Sequence, residues 1–245
     1  MRYKLVALDL DGTLLGNDKQ ISDANAEAVN DAIKAGAAVI LATGRPIREI
    51  RPYAEKLRLN GPIVANNGSE VWRTPDVLYA RREIPAEHVG RIFAFLEKYD
   101  EDVAFWAHTA EGLIEKENKP QQTGGHTWLQ FALRSEKPEL LEEIRRELHA
   151  WNVFELSSSH VTNVECNPMG VSKATGLAEI CKLLHIDRSE TVCIGDGLND
   201  IPMLRFADLG VAMGNAQEPV KRAAKLIAPS NVEDGVADVI RRVVL

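Results

Sequence analysis

From Lys4 to Ala65 the chain alternates short apolar runs with stretches of helical periodicity, and the same alternation returns after about residue 170. Few architectures accept that pattern. Lys4–Leu10, Ala37–Ala42 and Ile63–Ala65 are strand-like, and the run from Ala37 is apolar throughout, as in a strand covered on both faces. Between them, Val29, Ala32 and Ile33 share one face of a helix that Ser22 caps and Gly36 ends. Ile47, Ile50, Ala54 and Leu57 do the same for a helix with Pro46 at its first position. Strands and helices taken in turn predict an α/β fold, a doubly wound, mostly parallel, Rossmann-like sheet with helices on its faces.

The later stretch predicts a helix over 173–184, then strand 191–194, helix 201–206, strand 209–212, helix 219–224, strand 226–228 and helix 236–243. The middle differs. Helices over 88–99 and 138–151 alternate with strand-like runs at 103–106, 128–133, 153–156 and 161–165, an α+β pattern with antiparallel strands. Residues 82–165 are therefore expected to form a second domain inserted into a core made of 1–81 and 166–245. Trp106, Trp128 and Trp151 read as core residues of that insert.

Charge narrows the partners. The 36 acidic against 29 basic side chains give a net charge of −7, a field that repels phosphate backbones and anionic headgroups. Neither a nucleic acid nor a membrane is an expected partner. No apolar run approaches the roughly 18–20 residues that span a bilayer, and Asp9 and Asp11 stand where a signal peptide needs apolar residues. A cytoplasmic protein is expected. Three cysteines without a C-x-x-C read as small buried hydrophobes of a reducing compartment. The oligomeric state is open.

Four short segments carry chemistry. Asp9-Leu10-Asp11-Gly12-Thr13 follows the first strand, where ligands bind in an open α/β sheet. Two carboxylates so close repel each other unless a cation compensates, so the pair suits Mg²⁺; a solvated Asp-Gly turn has the same sequence. Thr43-Gly44-Arg45-Pro46 joins the next strand to a helix, and its hydroxyl and amides either cradle a phosphate or cap the helix. Lys173 opens a helix, against the dipole; it either shares a phosphate with that dipole or is merely solvated. Gly195-Asp196-Gly197-Leu198-Asn199-Asp200 places two more acids and an amide after another strand, as a ligand loop or as a plain turn.

The order of these segments, DLDGT, ATGR, GVSK and GDGLNDIPML, resembles the haloacid dehalogenase-like phosphohydrolase superfamily. The likeness continues through Val211–Ala216 and Glu233–Ala237, and it is similar to the Cof-type group, with a compact cap inserted between the Thr and Lys segments. That resemblance implies a Mg²⁺-dependent phosphatase of a small phosphorylated metabolite. Asp9 would be the nucleophile and Asp11 the acid and base. Asp9, Asp11 through its carbonyl, Asp196 and Asp200 would serve the metal. Leu10, Thr43, Gly44, Lys173 and Asn199 would bind the phosphoryl group, and Arg45 and Asn67 would touch the substrate. A phosphomutase or phosphotransferase on the same scaffold is the enzyme alternative. A phosphoacceptor signalling domain is a further one, although it is about half as long and lacks a cap. A dehalogenase does not require Asp11 or the acids near Asp196, and a P-type pump needs membrane helices.

Overall fold

A computed structural model describes residues 2–99 and 102–245. The chain divides into two compact units, Met1–Ala80 with Ser172–Leu245, and Arg81–Val171.

In the first unit β1 (Leu5–Leu8), α1 (Asp23–Lys34), β2 (Ala38–Ala42), α2 (Ile47–Lys56) and β3 (Ile63–Ala65) follow one another, then a hairpin of β4 (Glu70–Thr74) and β5 (Val77–Arg81), whose last residue is the first of the second unit. In the second unit the elements are α3 (Ala86–Leu96), β6 (Ala104–Thr109), β7 (Leu113–Glu115), β8 (Trp128–Arg134), α4 (Pro138–Trp151), β9 (Phe154–Ser157) and β10 (Asn163–Pro168). The chain returns to the first unit with α5 (Lys173–Leu184), β11 (Thr191–Gly195), α6 (Ile201–Phe206), β12 (Leu209–Ala212), α7 (Glu218–Ala223), β13 (Leu226–Ile227) and α8 (Gly235–Val239).

The core sheet runs β13-β12-β11-β1-β2-β3-β4-β5, and its first six strands are parallel. The expected doubly wound sheet is thus present, with an antiparallel hairpin added at one margin. Its strands are apolar because both faces are covered. Along β1, Val6 and Leu8 enter a cluster with Val29, Ile50 and Val239, whereas Leu5 and Ala7 join Leu177, Ile180 and Met203 on the other side. β1 lies between β2 and β11, so whatever follows it emerges at the middle of the sheet.

The second unit is a five-stranded antiparallel sheet, β7-β6-β8-β10-β9. Residues of α3 and α4 pack on it around Phe93, Phe105, Trp128 and Phe131, with Phe105 and Phe131 stacked at 5.2 Å between ring centroids. Trp128 is core, and its indole N–H donates to the Thr123 carbonyl at 2.8 Å. This compact unit runs to Val171, and β10 within it continues to Pro168, where it pairs with β9.

Three local differences have physical reasons. Pro46 is the cap of α2, not its first residue: its ψ of 155° is extended. The β4–β5 hairpin went unread because Arg73, Val77, Leu78 and Tyr79 are all exposed and leave no in-out pattern. The last helix leaves α-geometry after Val239 and continues over Ile240–Val244 with wider π-type turns. All three cysteines are free and buried.

Candidate active site

Where β1 and β11 end side by side, three acids and one lysine meet. The Asp9 amide donates to the Ile194 carbonyl of β11 at 3.0 Å, which extends the ladder by one residue and fixes the carboxylate at the strand mouth. Lys173 Nζ donates to Asp9 Oδ1 and to Asp200 Oδ1, each at 2.6 Å. Lys173 and Asp200 are fully buried, and Asp9 is 5% exposed. Far from being solvated, the lysine at the start of α5 is the counter-charge of a buried pair of acids. Ser172 caps that helix and accepts the Thr175 amide, while Lys173 turns inward.

Asp200 is held from its other oxygen by the amides of Asp196 and Gly197, both at 2.9 Å. Asp196 in turn accepts from the Thr13 hydroxyl at 2.8 Å. Carboxylate oxygens of Asp9, Asp196 and Asp200 lie within 4.8 Å of one another. Gly12 lets the two loops meet: its φ is +76°, and a Cβ there would collide with the Asp196 carboxylate. Asn215 Nδ2 ties the same two loops together, donating to the Gly12 carbonyl at 2.8 Å and reaching Asp196 Oδ2 at 3.5 Å.

On the β2 side, Thr43 is buried and its hydroxyl accepts the Arg45 amide at 3.3 Å. A tight turn at Asn66–Gly68, left-handed throughout with φ values of 48°, 55° and 103°, brings Asn67 toward this loop. Gly68 is packed so closely on the Ser172 carbonyl that no side chain fits, which fastens the turn to the start of α5. Asn199 Nδ2 donates to Asn67 Oδ1 at 3.0 Å. Asp11 points to a different set of partners. Arg45 grips it with Nε and Nη2, at 2.6 and 2.7 Å, and Lys19 Nζ adds a third bond at 2.7 Å.

The electrostatics follow from these contacts. Burial pushes the Asp9 carboxyl well above the usual range; Lys173 opposes the rise, and Asp200 and Asp196 add to it. Burial and then Asp200 raise Asp196 to about 7. Burial alone would lower the Lys173 ammonium, but Asp200 and Asp9 hold it above its ordinary value. Burial also acts to raise Asp11, yet the hydrogen bonds from Arg45 and Lys19 outweigh it and bring that carboxyl down to about 2. Three acids share one ammonium, so the cluster carries surplus negative charge when all are ionised.

One pH effect follows directly. A carboxyl whose folded pKa is raised stabilises the fold fully below its unfolded value, near 4, and that contribution is lost as pH rises through the folded value, here about 7. Asp196→Asn is therefore expected to gain stability over wild type in EDTA as pH goes from 5 to 8, by a few kcal/mol at the upper end. Paired thermal melts across that range check it; a constant difference would contradict it.

The sequence reading assigned no role to Thr13, Lys19 or Asn215. Asn215 lies inside the Val211–Ala216 run that carries the resemblance, but its partners are 203 and 19 residues away. Lys19 sits in a polar turn with φ of 61°, where nothing local announces a contact.

A parallel sheet with a buried lysine between two carboxylates at its carboxyl-terminal margin defines a class of hydrolase. A family model described as haloacid dehalogenase-like hydrolase matches residues 6–130 and 114–240, and the chain belongs to that family, as a phosphatase of its Cof-type group. It is 38% identical over 242 residues to 5-amino-6-(5-phospho-D-ribitylamino)uracil phosphatase YcsE of Bacillus subtilis (strain 168), covering 99% of this chain and 96% of that one. A second relative from that organism, 5-amino-6-(5-phospho-D-ribitylamino)uracil phosphatase YitU, is 31% identical, with 95% and 94% covered. Among solved structures, a haloacid dehalogenase-like hydrolase from B. subtilis superposes with a TM-score of 0.90 at 25% identity, over 98% of this chain and 99% of that one. Among the described residues, no helix is long and apolar enough to cross a membrane.

Proposed function

We propose that the protein is a Mg²⁺-dependent phosphatase that hydrolyses a small phosphorylated metabolite through an aspartyl-phosphate intermediate. The observation that carries this reading is the buried cluster, with Lys173 2.6 Å from both Asp9 and Asp200 and Asp196 within the same 4.8 Å group. Oxygen donors with surplus negative charge and a carboxyl raised to about 7 suit a hard divalent cation. Asp9, Asp196 and the Asp11 carbonyl would hold it, with Asp200 as a further ligand or as the anchor of the Asp196 loop. When bound, the ion would neutralise charge on the phosphoryl oxygens.

Asp9 at the end of the central strand is the nucleophile: its oxygen bonds to phosphorus as the bond to the leaving oxygen breaks, the electron pair departing with that oxygen. Asp11 supplies the proton the leaving oxygen takes up, and later removes one from the water that cleaves the acyl phosphate, returning Asp9 and inorganic phosphate. In the arrangement described, Arg45 and Lys19 keep Asp11 ionised, which suits the second half; donation in the first half requires the carboxyl to leave that grip. Lys173, Thr43, Asn199 and the Leu10 and Gly44 amides receive the equatorial phosphoryl oxygens, the largest contribution to rate. Arg45 and Asn67 face the substrate, and the Arg81–Val171 unit governs which substrate is accepted.

Two relatives named for a phosphoribitylaminouracil phosphatase make that compound the first choice in a panel of phosphorylated metabolites, beside sugar phosphates. Purified protein is expected to hydrolyse a generic aryl phosphate in Mg²⁺, to stop in EDTA and to resume when Mg²⁺ is restored. Undiminished turnover in chelator would overturn the metal assignment.

A further inference from the structure

Val211–Ala216 and Glu233–Ala237 carry part of the family resemblance, yet the reaction proposed above uses no residue of either. Both nevertheless hold the loop that follows β1. Just past β12 the Met213 amide donates to the Gly195 carbonyl at 3.0 Å, and the Gly214 amide donates to the Pro229 carbonyl at 3.2 Å. A Cβ on Gly214 would lie 2.9 Å from the Ser230 nitrogen, so the turn after β12 is pressed against the segment after β13. Asn215 comes next. It is exposed, yet both ends of its carboxamide are engaged: Oδ1 accepts from the Asn231 amide at 2.9 Å, while Nδ2 donates to the Gly12 carbonyl at 2.8 Å and reaches Asp196 Oδ2 at 3.5 Å. An N–H at one end and a carbonyl at the other fix which way round the amide sits. Asn231 Nδ2 donates to the Leu15 carbonyl at 2.9 Å, and the Ser22 hydroxyl donates to Asp234 Oδ1.

We propose that Asn215 is a positioning residue of the cation site, holding the loops that carry Asp9 and Asp196 at their binding separation before a divalent cation arrives. This role presupposes the phosphatase reading, in which Asp9, Asp196 and the Asp11 carbonyl hold that ion. Asn215 closes a ring: Gly12 precedes Thr13 in the chain, the Thr13 hydroxyl donates to Asp196 Oδ1 at 2.8 Å, and Asn215 joins Asp196 Oδ2 back to the Gly12 carbonyl. The ring works against repulsion. Oxygens of Asp9, Asp196 and Asp200 lie within 4.8 Å of one another, and the single ammonium of Lys173 offsets only part of their charge. Without the ion, that surplus pushes the β1 and β11 loops apart. A neutral donor spanning both keeps them together and adds no charge that would compete with the ion for the carboxylates. Ligands gathered beforehand bind more tightly, because none of the binding energy goes into bringing them together.

Titration of the full chain with Mn²⁺, read from the electron paramagnetic resonance signal of the free ion, tests this beside Mg²⁺ activation of aryl phosphate turnover. Asn215→Ser is expected to raise the Mn²⁺ dissociation constant, and the Mg²⁺ concentration for half-maximal turnover, by roughly five- to tenfold, with turnover recovering as Mg²⁺ is raised. Asn215 is exposed, so its loss opens no cavity, and a melt in EDTA confirms that the variant is folded. Ser22→Ala removes a helix cap and the bond to Asp234 from the same loop; it is expected to lower the melting temperature and leave Mn²⁺ affinity as in wild type. Unchanged Mn²⁺ affinity in Asn215→Ser, or an equal weakening in Ser22→Ala, would overturn the proposal and leave the phosphatase reading standing. A wild-type chain that binds no Mn²⁺ would overturn the metal assignment itself, and this role with it.

Discussion

Asp9→Asn is expected to lower kcat by roughly four to six orders of magnitude while leaving the fold as stable as wild type, or more so. The two halves of that result have one cause. Asp9 is an acid in a place that disfavours its charge: burial, Asp200 and Asp196 all push its pKa up, and only Lys173 opposes them. The amide keeps the shape and can still accept from Lys173 Nζ, yet it removes one of three like charges from the cluster. In EDTA the melting temperature should therefore hold or rise. In the mechanism proposed above, the reaction by contrast loses the oxygen that bonds to phosphorus, which an amide does not replace. Turnover of an aryl phosphate, a thermal melt and mass spectrometry for a phosphorylated intermediate measure the three parts. Wild-type turnover in this variant would remove Asp9 from the mechanism.

Lys173→Met is expected to lose activity and also about 3–5 kcal/mol of stability, the usual result of leaving a buried charge without its partner. Here two carboxylates are left, since Lys173 is the ammonium that both Asp9 and Asp200 share. For a protein of this size the melting temperature should fall by roughly 10 °C. The loss should shrink as pH is lowered, because Asp9, whose carboxyl burial already holds well above the usual range, then takes up a proton and becomes neutral. Adding Asp200→Asn to Lys173→Met should recover part of the stability and none of the turnover. A single variant that melts like wild type would show that the ammonium is not the counter-charge of the pair.

Much of the core was legible because each element declares itself locally. Ile63–Ala65, Lys173–Leu184 and Leu209–Ala212 have the expected bounds, each an apolar run or an apolar periodicity closed by cap and turn residues. Asp9, Asp196 and Asp200 were legible for a related reason: short acidic segments follow strands whose ends must lie along one margin. What stayed hidden depends on distance. Asp11 and Arg45 are 34 residues apart, Asn67 and Asn199 are 132 apart, and no periodicity reports that they bond. The burial of Lys173 was hidden as well, because helix propensity alone makes a lysine in a first turn look like a surface residue. The β4–β5 hairpin escaped for the opposite reason, since an exposed margin has no buried face to mark it.

The parallel pairing of β1 with β11 has a consequence for how the protein is born. Asp9 leaves the ribosome early, yet its strand keeps one side unpaired until Thr191–Gly195 has been made, and its lysine partner lies 164 residues downstream. The Arg81–Val171 unit is continuous and is completed first. Synthesis therefore delivers the middle of the protein before the acid cluster is assembled, and a nascent chain stopped before Lys173 carries Asp9 without the ammonium that pairs with it. Late assembly keeps that strand end waiting during translation, so the core sheet cannot close until the last third of the chain has been made.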